Sequence, residues 1–263
     1  MEATINGGRL AYIDQGTGTP VVLLHAFPLN RAMWLPQMSA LALHARAIAV
    51  DLRGHGESEP SSGPYTMDDL ADDVGRLLEA LSIPRAVVAG LSMGGYVSFA
   101  FYRRYPDRVR GLVLADTRAQ ADTAEGRAGR LAMIRTAESQ GAGAVADLML
   151  PKLLSPDSLK TNGDLVRMVR GMVEQTTVDT IIGDLRAMAD RPDSTPLLGK
   201  IDCPTLVLVG ECDQATPPAD AQQMAGAIPG ARLELIPAAG HLANLEQPEA
   251  FNRALVSFVR TIG

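Results

Sequence analysis

The sequence predicts an α/β protein built on a mainly parallel sheet with helices on both faces. Three observations carry this. Short apolar runs recur along the 263 residues, at 21–24, 45–50, 86–90, 109–115, 205–210 and 233–236, and most are apolar nearly throughout, as strands buried on both faces must be. Helical patterns alternate with these runs, the order expected when each strand is followed by a crossover helix. A hydrophobic content of 46% supplies a large core.

Taken in order, Gly7-Gly8 between Ala3-Thr4-Ile5 and Leu10-Ala11-Tyr12-Ile13 reads as an N-terminal hairpin. The clearest helix spans 67–81, with Met67, Leu70, Val74, Leu77, Leu78 and Leu81 on one face and Thr66 as its N-cap. Asp68, Asp69, Asp72 and Asp73 at its start suit the helix dipole and are expected on the solvent side, not around a metal. Residues 118–198 interrupt the alternation with helical stretches at 126–140, 165–176 and 180–189 and no buried strand, and Pro204 then reopens the sheet pattern. The expected organisation is therefore one core domain in two parts, 1–117 and 199–263, with a helical cap at 118–198 inserted between them. No aromatic residue occurs from 106 to 250, so the cap side of any pocket is expected to be aliphatic and pliable, with Met133, Met149, Met168 and Met172 as candidate substrate contacts. The core domain can add aromatic surface from Phe27, Trp34 or Tyr96.

A formal charge of −6 argues against a nucleic-acid partner. The cluster Arg103, Arg104, Arg108 and Arg110 straddles a predicted helix end, where cations complement the dipole. The first residues lack a basic segment followed by an apolar one, and no run of eighteen apolar residues occurs anywhere. Neither export nor membrane insertion is expected. Cys203 and Cys212 flank a predicted strand that would hold them roughly 25 Å apart, so both are expected as free thiols in a reducing, cytoplasmic setting.

Function enters at Gly90-Leu91-Ser92-Met93-Gly94, a GxSxG stretch directly after a buried strand. In a tight strand-to-helix turn the glycines let strand and helix pass closely while the serine hydroxyl is thrust outward at the helix N-terminus. The stretch fits neither GxGxxG nor a phosphate loop. A nucleophilic serine needs a base and an acid behind it. His241, in the loop after 233–236, is the best base. Asp213, just after 205–210, is the acid, which gives the chain order serine, acid, histidine. Asp116, after 109–115, is the alternative acid. Oxyanion donors are expected from the Met93 amide and, in the loop at 25–28, from the Phe27 amide, with His25 holding that loop.

With HAFP at 25–28, DLRGHGES at 51–58, GLSMGG at 90–95, the GxxD turn ending at Asp213 and GH at 240–241, the chain resembles the α/β-hydrolase superfamily, in its esterase, enol-lactonase and cofactor-free haloperoxidase group. The resemblance implies an eight-stranded, mostly parallel sheet with a helical cap, and a structural role for Asp51 and His55 in the DLRGHGES turn. Such proteins mostly carry glycine where this chain has Ala26, and the added methyl bears on how that loop approaches a substrate oxygen.

The activity so implied is hydrolysis of small or medium aliphatic carboxylic esters through an acyl-enzyme, with no metal and no organic cofactor. A lactonase would use the same machinery on a cyclic ester, and for a dicarboxylate enol-lactone it would need a cation from Arg118, Arg130 or Arg135. Perhydrolysis or haloperoxidation and, from another class, a small-molecule receptor are the remaining readings that the resemblance permits. The sequence leaves the oligomeric state open.

Overall fold

A computed structural model describes residues 1–61 and 63–262. The chain opens with the hairpin β1 (Glu2–Ile5) and β2 (Gly8–Gln15). Its turn lies at Asn6-Gly7, one residue earlier than expected, because both residues adopt positive φ (53° and 80°), which matches the twist of the flanking strands. There follow β3 (Pro20–Leu24), α1 (Leu35–Leu41), β4 (Arg46–Val50), α2 (Met67–Ala80), β5 (Ala86–Leu91), α3 (Met93–Arg104) and β6 (Val109–Ala115). Five helices come next without a strand among them: α4 (Ala124–Leu153), α5 (Pro156–Thr161), α6 (Gly163–Gln175), α7 (Val178–Ala189) and α8 (Thr195–Leu198). The chain then returns to the sheet with β7 (Thr205–Gly210), α9 (Pro218–Ala227) and β8 (Arg232–Ile236), and ends in α10 (Ala243–Glu246) and α11 (Pro248–Ile262).

All eight strands form one sheet in the order β1-β2-β4-β3-β5-β6-β7-β8. Only the first two pairings are antiparallel. Strands β5 and β7 are buried at every position, which explains their unbroken apolar runs. Strand β8 lies at the edge and is half-exposed, and so it tolerates Arg232 and Glu234. The strand order reverses between β3 and β5, and in open sheets of this kind the crevice at such a reversal lies beyond the carboxyl ends of the strands.

Helix α2 begins with a capping box in which Thr66 and Asp69 satisfy each other's backbone amides. Its acids do not all face water. Asp73 is buried, and accepts from Arg53 Nε at 2.7 Å and Asn6 Nδ2 at 2.9 Å. A guanidinium that reaches back from the turn at 51–58 thus makes a position burial-competent that looks solvent-facing in the helix alone. Asp68 and Asp72 instead pair with Arg103 and Arg104, two of the four arginines of the basic cluster. Cys203 is buried, Cys212 is exposed, and both are free. Among the described residues no helix is long and apolar enough to cross a membrane.

Candidate active site

A single residue, Ser92, separates β5 from α3. Its backbone sits at φ 55°, ψ −113°, a region costly for a side-chain-bearing residue. The surroundings hold it there. The Ser92 amide donates to the Ala115 carbonyl (3.0 Å), and the Ser92 carbonyl accepts from Thr117 Oγ1 (2.8 Å). A Cβ on Gly94 would overlap the Leu24 carbonyl, so only glycine lets the start of α3 pass this close to the end of β3. Leu24 is the register partner of Gly90, which brings the loop at 25–28 beside the serine.

In that loop His25 is fully buried. The Leu52 amide donates to its Nε2 (3.0 Å), so the proton resides on Nδ1, which donates to the Ala26 carbonyl at 3.0 Å. Burial, reinforced by the neighbouring His55, pushes the His25 pKa well below the ordinary histidine value and keeps the ring neutral. Ala26 is fully buried, and its amide points to Met33 Sδ (3.2 Å). The Phe27 and Met93 amides have no acceptor among the described residues.

On the facing side, β7 and β8 end in the loops that carry Asp213 and His241. His241 Nδ1 donates to Asp213 Oδ2 at 2.8 Å, leaving Nε2 as an acceptor. Asp213 Oδ1 accepts from the Ala215 and Thr216 amides (2.8 and 3.0 Å), and Oδ2 from Thr216 Oγ1 (2.6 Å). Burial raises the pKa of this carboxyl, but the charge and hydrogen bond of His241 and the bonds from Thr216 outweigh it, and the net shift is downward. Asp116 is also fully buried and lies near Asp213, yet its Oδ1 accepts from the Gly210 amide (2.8 Å) and it makes no bond to His241. Burial first, and repulsion from Asp213 second, push its pKa well above the usual carboxylate range. Glu246 was not singled out by sequence. Its two oxygens accept from the Gly240 amide (2.7 Å) and the Ser155 amide (2.9 Å), tying the His241 loop to the inserted helices.

Ser92, Phe27, Thr216 and His241 line one cavity of about 540 Å³, together with Tyr96, Met133, Met149, Leu185 and Met188. The Ser92 hydroxyl makes no hydrogen bond to His241, a separation common before substrate enters such sites. The other sequence-derived contacts lie elsewhere. Trp34 is fully buried against Phe251, ring centroids 6.1 Å apart. Met172 is buried within the helical layer, and Met168 is 43% exposed on the outside of α6. The inserted wall is also less aliphatic than its methionines suggest, since Asp122, Glu125, Arg130 and Lys152 reach the cavity. Long charged side chains lay apolar stems along such walls, a behaviour invisible in composition. Arg130 pairs with Asp122, whose other oxygen accepts from Arg191 at 2.6 Å, and Arg191 stacks 4.0 Å above the Tyr96 ring. Arg118 lines the cavity with its guanidinium on the Ala215 carbonyl and Asp220, whereas Arg135 is exposed and does not reach it. Thr216 carried a sequence signal, a hydroxyl three residues after an aspartate in a turn. Lys152 and Leu185 carried none.

Residues 19–248 match the profile of the alpha/beta hydrolase fold family. A thermophilic esterase from Thermogutta terrifontis, described with malate bound, is 40% identical and superposes with a TM-score of 0.96, covering 100% of this chain and 98% of its own. The enol-lactonase from Burkholderia xenovorans is 33% identical with a TM-score of 0.92, over 99% of this chain and 100% of its own. The 3-oxoadipate enol-lactonase 2 of Acinetobacter baylyi is 29% identical over 95% of this chain and 92% of its length. The chain belongs to the alpha/beta hydrolase fold family, and within it resembles esterases and enol-lactonases.

Proposed function

We propose that the protein is a serine hydrolase of carboxylic esters. One observation carries the reading: a carboxylate-braced imidazole, Asp213–His241 at 2.8 Å, opens onto the same cavity as a serine held in a strained strand–helix elbow. Ser92 Oγ attacks the ester carbonyl while His241 Nε2 takes its proton. The Phe27 and Met93 amides receive the oxyanion, aided by the positive end of α3. As the tetrahedral intermediate collapses, His241 returns the proton to the departing alcohol, and water then cleaves the acyl-enzyme by the same steps. The helices at 118–198 act as the cap that closes the acyl side, and two free thiols suit a reducing, cytoplasmic setting. A p-nitrophenyl butyrate assay combined with a fluorophosphonate label tests this. Turnover with label on Ser92 is expected; turnover that survives complete labelling, or no turnover and no label, overturns it.

A second reading concerns the substrate. Arg130 and Arg191 share the single carboxylate of Asp122, and Lys152 has no ion pair among the described residues, so the cap wall carries surplus positive charge beside Glu125. That favours an ester or lactone bearing a free carboxylate, in keeping with the similar enol-lactonases and the malate-bound esterase. Comparing kcat/KM for ethyl butyrate and monoethyl succinate, in the parent and in Lys152→Met, tests it. Preference for the succinate that shrinks in the variant supports the reading; equal rates on both esters reject it.

A further inference from the structure

Three buried side chains outside the Ser92–Asp213–His241 set form a continuous path from the inserted helices to the oxyanion loop. Asp184, on α7, is fully buried. Its Oδ2 accepts from His55 Nε2 at 2.7 Å, and its Oδ1 from the Tyr65 hydroxyl at 2.7 Å. The His55 ring packs edge-on against His25, centroids 4.6 Å apart and planes at 63°. His25 in turn donates from Nδ1 to the Ala26 carbonyl. The Ala26 carbonyl and the Phe27 amide belong to one trans peptide unit, so they point in opposite directions from a rigid plane. The same oxygen also accepts from the Leu29 amide at 2.9 Å, so the loop turn holds it from one side and His25 from the other, and fixing the oxygen fixes the direction of the N–H.

We infer that Asp184 is a positioning residue for the oxyanion hole. Through His55 it sets the seat of His25, and His25, together with the Leu29 amide, sets the plane whose N–H receives the oxyanion. The inference rests on the serine-hydrolase reading for what the Phe27 amide does, but the path itself does not depend on it. Two features speak against a purely structural anchor. Simple anchoring of α7 is already provided by Thr180, whose Oγ1 donates to the Gly54 carbonyl (3.3 Å), and by Tyr65, whose hydroxyl also reaches the Thr180 carbonyl (3.3 Å). His55 Nδ1, moreover, is buried with no partner among the described residues, so the Asp184 bond is the one polar contact there that orients this ring, and the face it turns is the one that meets His25.

The test compares Asp184→Ala, Asp184→Asn, His55→Leu and Tyr65→Phe with the parent, all well below their Tm. Three readouts are used: kcat and KM on p-nitrophenyl acetate, whose short acyl group reaches least toward α7; inhibition by a trifluoromethyl ketone, which forms an oxyanion on Ser92; and the ¹⁵N–¹H shift of the Phe27 amide. For Asp184→Ala and His55→Leu, kcat should fall about 10- to 100-fold with KM within threefold, and ketone affinity should weaken by the same factor while the Phe27 amide signal moves. Asp184→Asn keeps an acceptor for His55 and should recover most of the rate. Tyr65→Phe should lose stability yet stay within threefold of the parent kcat, an outcome that a merely structural role would not give. If one of the two disruptive variants does not fold, the other carries the comparison. Folded variants with parental kcat, parental ketone affinity and an unmoved Phe27 amide overturn the inference and leave the hydrolase reading standing. A parent that turns over no ester fails that reading instead, and the amide shift alone then decides whether the path exists.

Discussion

Thr216 Oγ1 donates a 2.6 Å hydrogen bond to Oδ2 of Asp213, the same oxygen that receives the His241 Nδ1 proton, and lies 3.3 Å from that nitrogen. The carboxylate is thus held from the side opposite its backbone donors, and the hydroxyl competes with the imidazole for one oxygen. Thr216→Val removes a bond to a charged, buried group without changing the side-chain shape. The expected loss in kcat is about 10- to 100-fold with the fold intact, measured by stopped-flow hydrolysis and circular dichroism. Parental kcat in the valine variant would mean that the two amide donors alone suffice.

Ser92→Ala should retain the fold and lose on the order of 10⁴-fold or more in kcat. The strain at φ 55° persists for alanine, so little stability change is expected. A folded variant with most of its ester turnover would remove Ser92 from the mechanism.

Asp213→Asn should be far more damaging than Asp116→Asn. An amide behind His241 favours the wrong tautomer and cannot stabilise the imidazolium, with a loss on the order of 10⁴-fold in analogous triads. Asp116 is pushed toward its neutral form by burial and by Asp213, and it bonds the Gly210 amide, a role that an asparagine oxygen can take over. Activity of Asp116→Asn within about tenfold of the parent is expected. The reverse ranking would move the acid to the β6 loop.

Stability should fall as pH drops through the histidine range. His25 is held neutral in the fold by burial, with His55 adding to the effect, while an unfolded histidine protonates near pH 6.5. Below that point the unfolded chain binds a proton that the folded one refuses. This group's contribution is therefore complete above about pH 6.5 and is lost at up to about 1.4 kcal/mol per pH unit below it, until the lowered folded pKa is reached. Urea titrations between pH 7.5 and 5 read the slope, and His25→Gln should flatten it. A slope unchanged by that substitution would assign the effect to other groups.

Acyl-chain preference should respond to Met133 and Met149 and not to Met168. The first two line the cavity, whereas Met168 is largely exposed on α6. Replacing Met133 or Met149 by Phe should cut kcat/KM for octanoyl relative to acetyl esters by roughly tenfold, with the acetyl rate nearly kept, while Met168→Phe leaves the profile unchanged. Coincident profiles for all three variants would place chain-length selection in the core domain.

The sheet was readable because strands buried on both faces must be apolar throughout, and the candidate loops were readable because each follows a strand, doubly buried for β5 and β7 and half-exposed at the edge for β8. Ser92 at the end of β5, Asp213 after β7 and His241 after β8 are all local in this sense. What escaped depends on partners distant in sequence. Asp184 looks like an ordinary polar position of an amphipathic helix, and its burial follows from His55 and Tyr65, 129 and 119 residues away. Asp73 misleads in the same way until Arg53 is placed beside it. The charged part of the cavity wall was hidden because an arginine on a helix gives no sign of which acid it will meet, and Asp122 meets two.

Helix α4 runs for 30 residues but is broken at Gly141, where φ is 79° and ψ is −175°. Gly129, Arg130 and Met133 lie on one arm, and Met149, Lys152 and Leu153 on the other, and both arms border the same cavity. The chamber is therefore gripped by a single bent rod, and its width depends on an angle at one backbone joint as well as on side-chain size. No neighbouring atom lies within 4 Å of where a Cβ on Gly141 would sit, so a side chain there meets no obstacle beyond the dihedral itself. Gly141 does not itself line the chamber, yet it holds the calliper setting. A side chain at Gly141 is therefore expected to alter the angle between the two arms, and with it the chamber, without touching Ser92, Asp213 or His241.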